Sequence, residues 1–359
     1  MISPVDQPPS TPPAIKHQRR PRYGGTHPRR FDEKYKERDP AKYPAAVRKV
    51  LESGKTPAGT HRPICVAEIL DVLAPQPGET AVDATLGYGG HAQALLPRLL
   101  PGGRLIALDV DSLELPKTEA RLRATGIPPE ALTVCHGNFA GLPRVLASLG
   151  VAGADLVLAD LGCSSMQFDD PARGFSFKRV GPLDLRMNPH KGQPASAFLA
   201  RVGEARLARV LTDNADEPQA ALLARALVEA RARGPIETTR ALSDAVRAAL
   251  SKLPHRARAE QDELCLRRVF QALRIEINDE FSALETFLRF LPDCLKPGAR
   301  VVVLTFHSGE DRRVKHSFEQ GRRAGIFARI ADEVIRPSSE EQRANPRSAA
   351  AKLRWAVRA

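Results

Sequence analysis

The run AVDATLGYGGHAQALL, residues 81–96, places three glycines within four positions. An apolar stretch of strand character precedes them, and an alanine- and leucine-rich stretch of helix character follows. Strand, glycine turn and helix in that order commit a chain to a parallel sheet with crossover helices if the alternation repeats. It does repeat. TAVDA (80–84), RLIALD (104–109), ALTVCH (131–136) and ADLVLAD (154–160) read as strands. Helical stretches run between them, over 90–100, up to about 124, and near 141–149. Then the alternation stops. Residues 161–193 are rich in turn formers, and 194 to about 275 are helical in composition. A helix over 279–293 and a strand at ARVVVLTF (299–306) follow, with weaker strand signals at FARIADEVI (327–335) and KLRWAV (352–357). The expectation is an α/β sheet interrupted by a helical insertion and then completed. It divides the chain into 1–60, a core from 61–165, a lid loop and insertion over 166–277, and the rest of the core over 278–359.

Charge separates the first of these segments from the others. Residues 1–60 carry 13 Lys/Arg against 6 Asp/Glu, a net +7 out of +12 for all 359 residues. They also hold 10 of the 30 prolines and three of the four tyrosines, Tyr23, Tyr35 and Tyr43. A basic, proline-rich segment poor in aliphatics cannot bury enough surface to fold alone. It reads as an extension suited to phosphate contact and occasional base stacking. The cysteines at 65, 135, 163, 265 and 294 are scattered, with no C-x-x-C pair. That argues against a disulfide framework or a zinc knuckle, and no metal is expected. No apolar run approaches the roughly 20 residues of a membrane helix, and a cytoplasmic location is expected.

Glycines between a strand and a helix permit a tight turn and close backbone approach to a ligand. Gly87-x-Gly89-x-x-Ala92 satisfies the dinucleotide fingerprint, and Asp109, 19 residues past Gly90, ends the second strand. A carboxylate there accepts hydrogen bonds from a ribose, in a nicotinamide dinucleotide or in S-adenosylmethionine. Two features favour the second. Asp83 sits poorly near a pyrophosphate but can orient the amino-acid end of adenosylmethionine. HGNF (136–139) follows the third strand, and Phe139 can cover an adenine.

ADLGCSSMQ (159–167) puts Asp160 at the end of the fourth strand, where a methyl acceptor meets the donor. Its carboxylate can accept N–H bonds from a base amine and localise the lone pair that attacks the methyl. His307 and Ser308 sit in a loop at the same sheet edge, to touch the target nucleotide or to cap the next helix. FDDPARGFSFKRVGPLDLRM reads as a lid, with Phe168, Phe175 and Phe177 for stacking. Its cations Arg173, Lys178, Arg179 and Arg186 are assigned to phosphates.

With HRPICVAEIL, VDATLGYGGH, HGNF, DLGCSSMQFDDPARGFSFKRVGPLDLRMNP, FQALRIEINDE, TFHSGEDRRVK and NPRSAAAKLR assembled, residues 61–359 resemble the ribosomal RNA small subunit methyltransferase H family. The resemblance implies a Rossmann-like class I adenosylmethionine-dependent methyltransferase sheet with an inserted all-helical subdomain that grips RNA. The implied reaction is N4-methylation of a cytidine in the decoding region of small-subunit ribosomal RNA. The partner is that RNA or the assembled 30S subunit. The resemblance sets the cofactor against Gly89, Gly90, His91, Asp109, Phe139, Asp160 and Gln167; His91 and Gln167 come from it alone. The chain departs from the family pattern at ELCLRRVFQ (263–271), at Gly309, at CSSMQ and in the basic extension. A methyltransferase for DNA or a small molecule, and a non-catalytic ribosome assembly factor, are the alternatives.

Overall fold

The computed structural model describes residues 63–251 and 259–359; the extension at 1–60 lies outside them. Elements are numbered among the described residues. Helix α1 (Val66–Leu73) leads into β1 (Thr80–Asp83), α2 (Gly90–Leu99), β2 (Arg104–Asp109), α3 (Leu115–Arg123), β3 (Leu132–His136), α4 (Leu142–Ser148) and β4 (Ala154–Asp160). The sheet returns only at β5 (Leu295–Thr305), followed by α12 (Ser308–Arg323), β6 (Phe327–Ile330), α13 (Ser339–Ala344) and β7 (Lys352–Arg358).

The strand order is β3-β2-β1-β4-β5-β7-β6. The first five are mutually parallel, and β7 runs antiparallel to both its neighbours. Side chains alternate between the two faces, as period-two strands require. Val82, Ile106, Val157 and Val301 pack with Leu142, Phe287 and Phe318 on one side. Ala81, Leu105, Leu156 and Val302 pack with Ile69, Leu95 and Leu99 on the other. Both faces are buried, which is why these strands read as continuous apolar runs. The weak signal at 327–335 yields a strand of only four residues, Phe327–Ile330.

Between β4 and β5 the chain builds a second core. α5 (Ser165–Asp169) opens the lid, and α6 (Ala195–Arg201), α7 (Glu204–Ala215), α8 (Ala220–Arg233), α9 (Thr239–Leu250) and α10 (Ala259–Asn278) form the helical layer. α11 (Glu280–Phe290) returns to the sheet. Within the stretch of helical composition, α6 and α7 are separate because Val202 is extended (φ −62°, ψ 136°) before Gly203. Leu199, Leu211, Leu223, Val246, Leu266 and Leu273 meet in one cluster, joined by Phe175, Leu183 and Leu185 of the lid. Each such leucine contributes about 1.5–3 kcal/mol on burial. The lid is therefore anchored in the helical core. Phe175, expected to stack on a ligand, packs into that core at 3% exposed and also lines a cavity beside the lid.

Candidate functional site

A cavity of about 950 Å³ opens where the C-terminal ends of the parallel strands meet the lid. Ligands in open α/β sheets bind at this edge. Gly90, His91, Asp109, Phe139, Asp160, Gln167 and His307 all line it. Gly89 does not; Gly87 and Tyr88 form the wall in its place. The reason is steric. Gly89 caps α2 in the left-handed region (φ 81°), and a Cβ there would stand 2.9 Å from the Thr118 methyl. A Cβ on Gly90 would stand 2.9 Å from the Pro63 ring. Close packing thus calls for glycine at both positions, and Gly90 also faces the cavity.

The turn is fixed from below. Asp109 Oδ2 accepts from the Gly87 amide at 2.6 Å and its Oδ1 from the Asp111 amide at 2.8 Å. Burial raises the Asp109 carboxyl above its ordinary value, against those amides. Phe139 stands edge-on to Phe287, centroids 5.4 Å apart. The Asp160 amide donates to Thr85 Oγ1 at 2.6 Å, which ties the end of β4 to the turn after β1.

Beside that tie lies a buried cluster of titratable groups. Asp83 is 1% exposed and His91 7% exposed. His91 Nε2 approaches Asp160 Oδ2 to 3.4 Å without hydrogen-bond geometry. Asp83 Oδ2, both His91 ring nitrogens and Asp160 Oδ1 are buried without a hydrogen-bond partner. Burial pushes the Asp83 carboxyl up to about 7. Burial alone would lower His91, but Asp160 and then Asp83 outweigh it and hold the imidazole above its ordinary value. Three of these orphan atoms belong to His91 and Asp160, which line the cavity, and unpartnered buried polar atoms of this kind are where a polar ligand or ordered water bonds.

Other expected residues turn out to be committed within the protein. Gln167 closes a capping box with Ser164 and donates to Asp111 Oδ2 at 2.8 Å. His307 caps α12: its Nδ1 accepts from the Glu310 amide at 3.4 Å, and its Nε2 lies 3.2 Å from Glu310 Oε1. Of the two roles open to His307, the structure displays the cap. Glu310 stays below the usual carboxylate range, because His307 and Arg274 outweigh a burial that would raise it.

Among the lid cations, Arg173 is buried and bonded to Asp111 at 2.9 Å and to the Arg186 and Met187 carbonyls. Arg186 is forked onto Asp184. Neither is available to a phosphate as the sequence suggested. Lys178 is exposed and Arg179 partly so, and both line the cavity.

The sequence reading missed what FQALRIEINDE does. Arg274 is buried and forked onto Glu280 at 2.7 and 2.8 Å, with Cys163 Sγ at 3.1 Å. Asn278 accepts from the Met187 amide and donates to the Leu185 carbonyl, which pins the lid to α10. Arg274 and Glu280 stand six residues apart in a stretch that also holds Glu276 and Asp279, so spacing alone did not single out the pair.

The MraW methylase family model matches residues 58–359. Ribosomal RNA small subunit methyltransferase H 1 of Lachnoclostridium phytofermentans is 49% identical, over 96% of this chain and 93% of its own length. Ribosomal RNA small subunit methyltransferase H 2 of Alkaliphilus metalliredigens is 50% identical, over 96% of this chain and 98% of its own. Ribosomal RNA small subunit methyltransferase H of Thermomicrobium roseum is 40% identical, over 83% of this chain and 94% of its own. Matches over 96% of the chain must take in most of residues 1–60. The extension, expected to be atypical, is shared with those two relatives.

Proposed function

Because the chain belongs to the MraW methylase family, we propose that it transfers a methyl group from S-adenosylmethionine to N4 of a cytidine in the decoding region of small-subunit ribosomal RNA. Methylation of ribosomal RNA is the coarser reading, and the names of its relatives support it. One observation carries the choice of an exocyclic amine. Asp160 ends β4 facing the cavity between the glycine turn and the lid, with Oδ1 buried and unpartnered.

The residues present fit the cofactor. Asp109 at the end of β2 suits a ribose, Phe139 an adenine face, and the orphan ring nitrogens of His91, with the buried carboxylate of Asp83 acting on them, a charged amino-acid group. Gly90 and Gln167 complete that wall, and Gly89 holds it from behind. When bound, adenosylmethionine supplies an electrophilic methyl on a sulfonium. Asp160 would accept an N–H bond from the amine, turn its lone pair toward that methyl, and take up the amine proton as the methyl's bond to sulfur gives way to the N–C bond. Alignment of this kind is worth roughly 7–11 kcal/mol. Thr85 keeps Asp160 in place through its backbone amide.

The base reaches this depth only if it is unstacked, at a cost of a few kcal/mol. Phe168 and Phe177, both partly buried at the cavity wall, offer faces for it, and Lys178 and Arg179 offer charge for its phosphates. The helical layer of α6–α10 extends this grip on RNA. His307 acts on the reaction by fixing the start of α12. Nucleoside mass spectrometry of small-subunit RNA from cells with and without the gene tests the reading. Loss of N4-methylcytidine, restored by the wild-type gene and not by D160A, is expected. An unchanged nucleoside profile refutes it.

A further inference from the structure

Lys178 of the lid and Arg267 of α10 converge on a single oxygen. Glu263 Oε1 lies 3.2 Å from Lys178 Nζ and 2.6 Å from Arg267 Nη2. Alone, Glu263 and Arg267 would be an ordinary i,i+4 pair on a helix. The arrival of Lys178 from another element on the same oxygen sets the place apart. The backbone beside Lys178 is fixed: Thr239 Oγ1 donates to the Arg179 carbonyl at 2.7 Å and accepts from the Gly181 amide at 3.2 Å. Phe177, one residue before Lys178, packs on Phe270, one turn beyond Arg267, with centroids 5.8 Å apart. Phe177, Lys178, Arg267 and Phe270 all line the cavity, whereas Glu263 does not.

The side chains of Lys178, Arg267 and Glu263 are exposed, at 65%, 62% and 51%. Exposed pairs of this kind contribute little to stability, so Glu263 holds the two cations without committing them. Among the described residues neither cation pairs with another carboxylate. Arg267 and then Lys178 keep the Glu263 carboxyl below its ordinary value, so at neutral pH it gives them up only in exchange for another anion.

We infer that Lys178 and Arg267 form the subsite for the backbone phosphate of the nucleotide that enters the cavity, a place that Glu263 fills in the free protein. The inference rests on the RNA reading above and goes beyond it by fixing where the strand is held. A phosphodiester matches the two cations better than the carboxylate does. Here they share one oxygen; a phosphodiester offers a non-bridging oxygen to each, and the guanidinium can present more than one N–H to it. Buried Phe270 and half-buried Phe177 lie on the inner side of the exposed cations. A base can therefore pass inward while its phosphate stays at the mouth. Glu263 must be pushed off before that phosphate is gripped, which leaves the subsite weaker than its two cations alone would make it.

The test is RNA binding by the full-length protein, read by fluorescence anisotropy at low salt. One probe is a short oligouridylate with a central cytidine; the other is the same strand made neutral, as methylphosphonate, at the two linkages flanking that cytidine. Glu263→Gln should tighten binding of the charged strand about three- to tenfold and leave the neutralised strand within about twofold of wild type. Glu119→Gln is the control. Glu119 stands in the same i,i+4 relation to Arg123 on α3, away from the cavity wall, and its loss should change neither affinity by more than about twofold. Lys178→Gln with Arg267→Gln should weaken the charged strand, lower the slope of log affinity on log salt by about 0.7, and remove the gain from Glu263→Gln. Because Lys178, Glu263 and Arg267 are exposed, these variants should keep the wild-type unfolding midpoint.

A gain in Glu263→Gln no larger than that in Glu119→Gln overturns the inference while leaving the RNA reading intact. So does a gain that persists on the neutralised strand. Failure of the wild type to bind either strand is a separate outcome: it removes the RNA reading itself, and the inference with it.

Discussion

The two sides of the cavity are held by different means. On the sheet side, strand ends fix the site through backbone groups: Asp109 to the Gly87 and Asp111 amides, Thr85 to the Asp160 amide, and glycines packed on Thr118 and Pro63. On the lid side, side chains far apart in sequence do the holding. Arg173 reaches Asp111 across 62 positions and Asn278 reaches Met187 across 91. The sheet side is rigid because its ladder is already made. The lid side is as rigid as a few buried ion pairs make it, and those are sensitive to loss of one partner. A donor site can be preformed, whereas a site that admits a nucleotide needs a wall that can be unfastened.

The largest effect should come from the joint between the two sides. Arg173 and Asp111 have side chains 8% and 4% exposed, so Arg173→Met leaves a buried carboxylate without its cation. The expected loss is about 3–5 kcal/mol of stability. The double variant Arg173→Met with Asp111→Asn should recover part of it, which thermal unfolding measures. No recovery would mean that Arg173 matters for the Arg186 and Met187 carbonyls instead, and that the lid is fastened to itself more than to the sheet.

Next comes the chemistry of the sheet side. Asp160→Ala should lower kcat on the order of 100- to 1,000-fold, with the affinities for adenosylmethionine and RNA changed by no more than roughly fivefold. Rapid-quench single turnover and direct binding separate these terms. Equal loss in kcat and in RNA affinity would place Asp160 in substrate binding and blur the division between the two sides.

This division also explains what the sequence disclosed. The turn was legible because its causes are local: a strand, a left-handed glycine and a helix start lie within ten residues, and Asp83, Asp109 and Asp160 each end a strand. Gly89, expected against the cofactor, lies behind the residues that line the cavity, where a Cβ would stand 2.9 Å from the Thr118 methyl. On the lid side residue type misled. Arg173 has the chemistry of an RNA-binding loop but is buried against Asp111, and Phe175 is packed into the helical core at the cavity wall. Burial is decided by Asp111 and by the helical core, partners that spacing along the chain does not reveal. His307 was left open between two roles, and the helix it caps decides which is seen.

A third, smaller effect concerns the extension. Relatives at 49% and 50% identity share it, while the one matched over 83% of this chain spans 94% of its own length without needing the rest. Deletion of residues 1–60 should leave adenosylmethionine binding intact and weaken RNA binding about tenfold at low salt. The slope of log affinity on log salt should fall by about 0.7 for each phosphate that the extension neutralises. An unchanged slope would assign all RNA contact to the lid and helical layer.

The smallest effect tests whether the helical layer is tied to the far end of the sheet. Asp216, at the corner after α7, accepts from Arg312 at 3.1 Å and from Ser308 at 3.0 Å, both on α12. Arg312 and then Ser308 hold its carboxyl below the ordinary value. A depressed carboxyl contributes stability above its unfolded value and loses it as pH falls through the folded one, so the clasp should fade only in acid. Both partners are more than half exposed, and such pairs are worth about 0.2–1 kcal/mol. Asp216 is also left-handed (φ 50°), which Asn and Gly tolerate and Ala does not. Asp216→Asn removes the charge and keeps the backbone, Asp216→Gly gives up the pair but relaxes the corner, and Asp216→Ala loses on both counts. Unfolding midpoints near neutral pH should therefore fall least for Gly or Asn and most for Ala. High salt should narrow the gap between wild type and Asn while leaving that between Asn and Ala unchanged. Equal loss in all three would mean that the carboxylate's bonds to α12 alone hold the corner, and an unchanged midpoint in Asn would mean that the helical layer moves free of α12.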